Sequence, residues 1–220
     1  MKKPAFTLAE VLITLGIIGI VAALTLPSLI TKQKNKILEV RFKRTYNALA
    51  NATADLISEE PYENWGGKGI NYIETDVMKR YLTKIHGTYC LTGSVNNKIC
   101  SDFPGMNSST EHIETTWGAQ IQMQSFIKDC SFQGFGHGVN NICLSMWVDT
   151  NGREGPNKAG YDRFYLFLSQ RNTEYITLVP AGIDTTLSDT CAGTQCGNFG
   201  CQCSVTFKAV SDPYYFKNLK

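Results

Sequence analysis

The sequence specifies an α+β protein in which one long N-terminal helix packs on an antiparallel β-sheet. Two patterns carry that expectation. The first is an apolar run from Phe6 to Leu26 that holds a single acid, Glu10, and leads into apolar residues at helical spacing. The second is a set of segments beyond Trp117 in which apolar and polar residues alternate, separated by turn residues with no helical pattern between them. A helix with one apolar stripe and a sheet with one apolar face cover each other.

The helix comes first. Some twenty apolar residues, at about 1.5 Å rise each, span roughly 30 Å of hydrocarbon. A carboxylate at that depth costs about 2.5–3.5 kcal/mol on insertion scales, so Glu10 needs a partner. The chain has no cation at the same depth. A free α-amino group made by cutting before Phe6, on a second copy of the chain, would serve. Beyond Pro27, the residues Leu38, Phe42, Thr45, Leu49, Ala52 and Leu56 recur every three or four positions, while Arg41, Lys43, Arg44, Asn47 and Asn51 fall off that stripe. Glu60-Pro61 is the expected stop, because a residue before proline resists helical geometry. The helix should run from Phe6 to Ser58, roughly 80 Å. Pro27 removes a backbone donor and crowds the preceding turn, which predicts a kink or a melted turn there.

The stretch Ala5-Phe6-Thr7-Leu8-Ala9-Glu10 resembles the cleavage and N-methylation site of type IV pilins and type II secretion pseudopilins. Ala5 stands where that family usually has Gly, and Ala9 where a larger aliphatic is common. The resemblance implies a leader over 1–5, cut between Ala5 and Phe6 by a prepilin peptidase, and N-methylation of Phe6. Glu10 becomes the fifth mature residue and the assembly residue. Residues 6–30 would be the transmembrane and assembly helix, 31–58 its amphipathic continuation, and 59–220 an extracytoplasmic domain folded as a disulfide-rich pilin-like roll. The implied partners are copies of the chain or related pilins in a filament, the prepilin peptidase, an inner-membrane assembly platform and, before assembly, membrane lipid. The implied location is the bacterial inner membrane, single-pass, and then a periplasmic or surface filament. The implied function is that of a structural subunit of a type IV pilus or a type II secretion pseudopilus. A minor tip or adaptor pilin that binds a surface, DNA or secreted cargo is the alternative. A membrane-tethered extracytoplasmic enzyme or lectin stands as a third reading. The residues themselves also admit a secretory signal cut near Val21-Ala22-Ala23, or a plain single-pass anchor.

Net charge is +2, and loss of a leader holding Lys2 and Lys3 would leave none. That argues against a generally basic nucleic-acid binder. A local basic patch remains at Lys32, Lys34, Lys36, Arg41, Lys43 and Arg44. All of the 8 cysteines lie beyond Tyr89, an even set that suits an oxidising compartment. Cys90 with Cys100, and Cys130 with Cys143, are the locally plausible disulfides. Cys191, Cys196, Cys201 and Cys203 are expected to pair among themselves. Their spacing does not match the paired units of zinc sites, although metal binding is the competing reading.

In chain order, Gly66-Gly67-Lys68-Gly69 marks a loop and Tyr72 to His86 fits a helix. Phe103 to Glu114 is polar and turn-rich, a connector. Trp117 to Phe126 alternates, with Gln120, Gln122 and Gln124 on the polar face. Asn141 to Val148, Arg163 to Ser169, Glu174 to Val179 and Ser204 to Val210 also read as strands, with Gln170-Arg171-Asn172-Thr173 as a hairpin turn.

Between two of these strands, Val148 to Phe164 gathers acids, amides and glycines. Asp149 and Asn151 before Gly152 put two oxygen ligands on one tight turn, Asp162 returns to it, and Glu154 adds a fourth. Calcium is the cofactor such a set would take, although EF-hand spacing is absent. The competing reading is a metal-free hairpin in which Asp and Asn cap backbone amides and Gly takes positive φ. No catalytic residues are expected. His86, His112 and His137 are isolated and read as surface or loop residues, and Trp65, Tyr72 and Tyr214-Tyr215-Phe216 read as core or edge packing.

Overall fold

The computed structural model describes residues 7–65, 80–81, 83–90, 112–124, 127, 129–133, 138–171, 175–183 and 204–219. Helix α1 runs over Leu8–Glu59 and a 3-10 turn follows over Tyr62–Asn64. Six strands come next: β1 Gly87–Cys90, β2 His112–Thr115, β3 Gln120–Gln124, β4 Ile142–Asp149, β5 Arg163–Arg171 and β6 Tyr175–Pro180. A short helix α2, Val205–Ser211, and a 3-10 turn, Phe216–Asn218, close the chain. The strands pair antiparallel in sequence order, β1 to β6, so each needs only a loop to reach its neighbour.

The α1 stripe is buried where its periodicity placed it: Leu38, Phe42, Thr45, Leu49, Ala52 and Leu56 all lie inside. Leu49, Ala52 and Leu56 pack on Ile121, Leu144, Met146, Val148, Leu166 and Leu168 of the sheet. The polar positions of the stripe are each met. Trp117 Nε1 donates to Thr45 Oγ1 (3.1 Å), Asn35 Nδ2 donates to the Leu219 carbonyl (3.0 Å), and the hydroxyls of Thr53 and Tyr81 share a bond of 2.9 Å. The helix stops at Glu59 because Glu60, before Pro61, turns extended at φ −150° and ψ 129°.

The far face of the sheet is covered as well. Val139, Ile142, Tyr165, Phe167, Val179 and Ala181 form a second cluster there, so β4 and β5 are buried almost throughout. A third cluster joins Leu38 and Phe42 of α1 to Phe164, Ala209 and Phe216. It lies at the end of the domain nearer the bare half of the helix.

Six expectations change. Ser204 to Val210 is helical, not a strand. Val205, Thr206 and Ala209 are buried at helical spacing, and Lys208 N–H donates to the Ser204 carbonyl (2.9 Å). Seven residues rich in Val and Thr favour strand by propensity, but burial against Gly160 and β5 favours one helical face. No turn melts at Pro27: α1 stays helical through it, and the Thr31 hydroxyl donates to the Pro27 carbonyl (3.0 Å). The polar connector ends in a strand, β2, paired with β1. Finally, Gln120 and Gln122 are buried rather than solvent-facing. Trp117 sits in a turn ahead of β3, and Gln170 and Arg171 continue β5, with Arg171 opposite Tyr175 across the hairpin. Of the expected 72–86 helix, residues 80, 81, 83 and 84 are helical, 85 and 86 form a turn, and 72–79 and 82 lie outside the described residues, as does the 66–69 loop. Salt bridges from Arg80 to Glu59 and Glu60, and from Lys84 to Asp55 and Glu59, fasten that segment to the end of α1.

Candidate functional site

Among the described residues, the first half of α1 is covered by nothing outside the helix. From Leu8 to Ile30 every residue except Ala22 is exposed, Leu8 and Leu24 by 78% and 76%. An apolar surface this extended is unfavourable in water, and the segment is long and apolar enough to cross a bilayer.

Ala5 and Phe6 lie outside the described residues. Glu10 is described, and it closes a capping box. Thr7 N–H and the Thr7 hydroxyl both donate to Glu10 Oε2 (2.8 and 2.9 Å), and Glu10 N–H donates back to Thr7 Oγ1 (3.3 Å). The helix start therefore satisfies two of its own amides, those of Thr7 and Glu10. Reading Glu10 only as a charge in hydrocarbon missed this role, although Thr-x-x-Glu ahead of an apolar run is its sequence signature. Among the described residues, Glu10 Oε1 takes no hydrogen bond, so one oxygen is left over.

The 149–162 loop brings together its sequence-nominated acids. Asp149 faces Arg163 across the β4–β5 ladder, and Arg163 Nε donates to Asp149 Oδ2 at 3.0 Å, with both side chains buried. Asn151 N–H donates to Asp149 Oδ1 (3.2 Å). The amides of Asn157 and Lys158 donate to the two oxygens of Asp162, each at 2.7 Å. All four carboxylate oxygens thus already accept from N–H groups of the chain. Glu154 points elsewhere, pairing with Arg41 of α1. Gly152 sits at φ +64°, where a Cβ would come within 2.7 Å of the Gly118 carbonyl, so only glycine lets the loop lie this close to the β2–β3 turn.

Two buried acids share one guanidinium here, so their charge is not fully matched. Burial, then the neighbouring Asp162, push the Asp149 carboxyl up to about 7, against the pull of Arg163. Burial likewise raises Asp162, opposed by the two backbone amides. An unfolded carboxyl titrates near 4, so the folded chain binds more protons between roughly 4 and 7. The stability this lends is full below the unfolded value and is lost as pH climbs through about 7. The melting midpoint is therefore expected to be lower at pH 8 than at pH 5, and Asp149→Asn should flatten the difference. An unchanged slope in that variant would place the titration elsewhere.

Cys130 and Cys143 form the expected disulfide, tying the segment before β4 to β4 itself. Cys90 is disulfide-bonded too. Cys100, Cys191, Cys196, Cys201 and Cys203 lie outside the described residues. His112 is not a surface residue. It is buried in β2, with its ring close to Cys90 and Glu114. That trio has the donor types of a metal site, but a sulfur held in a disulfide is not a thiolate ligand. His86 is exposed in a turn, and His137 and Tyr72 fall outside the described residues. Trp65 and Phe216 are core, as expected, whereas Tyr214 is 60% exposed, with Lys217 over its ring.

Residues 1–26 match the prokaryotic N-terminal methylation motif. No curated protein and no solved structure matches the chain. A methylation motif, a bare apolar helix and a six-stranded antiparallel domain occur on one polypeptide. The chain carries the signature of the type IV pilins and pseudopilins, whose precursors a prepilin peptidase processes.

Proposed function

We propose that the chain is a structural subunit of a type IV pilus or a type II secretion pseudopilus. It is cut between Ala5 and Phe6, methylated on Phe6, and polymerised through α1. The observation that carries this reading is the methylation motif at the start of a helix whose first half is left without cover by its own domain. In a polymer that half meets other copies. Glu10 keeps its capping bonds through Oε2 and offers Oε1 to the amine of a neighbouring Phe6. Two buried charges, each costly alone, are tolerable together and fix the register between subunits.

The intact mass of protein purified from cells tests it. The expected mass lacks residues 1–5, carries one added methyl group, and is lower by two hydrogens for each disulfide. Recovery of the uncut chain would overturn the reading.

The 149–162 loop serves this function as a metal-free turn holding the domain against α1. Its carboxylates have their donors already, so millimolar calcium is expected to leave the melting midpoint where it is. A clear rise would assign the ion to Asp149, Asn151 and Asp162 after all.

A further inference from the structure

Beside the lower part of the amphipathic helix lies a groove of about 530 Å³ between α1 and the 149–162 loop. That is within the range of small-molecule sites, about 300–1,000 Å³. Its lining includes Thr31, Lys34, Ile37, Asn151, Pro156 and Tyr161. Two observations bear on what fills it.

The first is depth. The groove opens at Thr31, directly after the expected transmembrane stretch, 6–30, ends. Along the axis, Lys34 is about 6 Å beyond Ile30. The polar layer on each side of the hydrocarbon is about 5–7 Å thick. With α1 in a bilayer, Lys34 stands at headgroup depth. The second is charge. Lys34 is exposed, its neighbours Lys32 and Lys36 are basic, and the groove's single acid, Glu154, is held by Arg41.

An anion carried at headgroup depth on a molecule whose tails lie along a bare apolar helix describes one chemical class. We infer that the groove holds the headgroup of an anionic glycerophospholipid, with its phosphate at Lys34; phosphatidylglycerol serves as the probe. This inference rests on the reading of the subunit as membrane-inserted before assembly. The site would hold the domain down on the membrane surface until extraction into the polymer strips the lipid away.

The test uses the full chain in its membrane. A benzophenone amino acid replaces Ile37, which lines the groove and is 45% exposed, so the fold tolerates it. After illumination in vesicles of phosphatidylglycerol and phosphatidylcholine mixed equally, the adduct mass is read. The expected product is the chain plus one phosphatidylglycerol, favoured about tenfold over phosphatidylcholine. Lys34→Gln, an exposed change, should bring that preference to within twofold. Equal capture of the two lipids by the parent chain overturns the inference. So does a dominant adduct of two protein chains, which would make the groove an interface between copies. So does a preference that survives Lys34→Gln but vanishes in Lys32→Gln, which would mean unspecific surface charge. Flotation of the same sample separates the two readings: a chain absent from the vesicles sinks the membrane-inserted subunit itself, whereas an inserted chain without the lipid adduct sinks only the headgroup site.

Discussion

Glu10→Ala is expected to leave the chain in the membrane and to stop filament growth. Insertion survives because the substitution removes the one charged side chain of the apolar run, and a neutral span enters a bilayer more readily than a charged one. On the proposed function, assembly is expected to fail because the neighbouring amine would be buried without a counter-charge. Breaking a buried pair by removing one partner costs about 3–5 kcal/mol. At about 1.4 kcal/mol per tenfold, each contact weakens by two to four orders of magnitude. A polymer that repeats the contact at every subunit does not survive that loss. Glu10→Gln separates the two jobs of the residue. Its amide oxygen can still accept from Thr7 and keep the helix start closed, yet it carries no charge. It is expected to fail at assembly as the alanine variant does. The measurement is membrane fractionation of both variants beside electron microscopy of shed filaments. Normal filaments from Glu10→Gln would show that capping, not charge pairing, is what the residue provides.

Phe42→Ala is the second large effect, and it acts on the domain. The Phe42 ring packs on Phe164 (centroids 4.3 Å apart), Phe216 (5.4 Å) and Tyr46 (5.9 Å). One side chain therefore joins α1, β5 and the C-terminal turn. Truncating a buried Phe to Ala costs about 3–5 kcal/mol, part transfer and part cavity. For a chain of this size that lowers the melting midpoint by roughly 6–20 °C. The control is Val40→Ala, two residues away and 54% exposed, which should fall within about 0.5 kcal/mol of the parent. Thermal melts of the full chain in detergent decide it. A Phe42→Ala midpoint equal to that of Val40→Ala would mean the three elements hold together without this ring.

The helix was legible in the sequence because its signals are long and agree: an apolar run, then six stripe positions, then Glu60-Pro61. The strands from β3 to β6 were legible because each carries at least five residues of pattern. β1 and β2 were not, because four residues such as His112-Ile113-Glu114-Thr115 fit period two too briefly to stand out from a polar loop. Val205 to Ser211 misled for a related reason: over seven residues, Val205, Phe207 and Ala209 satisfy an alternating pattern, and only packing reveals the helical one. At the site, Asp149 and Asp162 stood out as acids in a glycine-rich turn. Their actual partners did not, because Arg163 reaches Asp149 through the β4–β5 register and the amides of Asn157 and Lys158 bear no sequence label. Glu10 was the reverse case. Its hydrocarbon setting drew notice away from the plain Thr7 cap three residues before it.

The polar contacts spaced along the buried stripe work like teeth on a key. Asn35 engages the Leu219 carbonyl, Thr45 engages Trp117, and Thr53 engages Tyr81. Turning α1 by a single residue, about 100°, would unseat all three at once and leave each donor or acceptor stranded in an apolar interior. The head therefore has one azimuth about its shaft. On the proposed function, pull or twist applied to such a shaft would reach its head without slippage, and the same flank of each head would look outward.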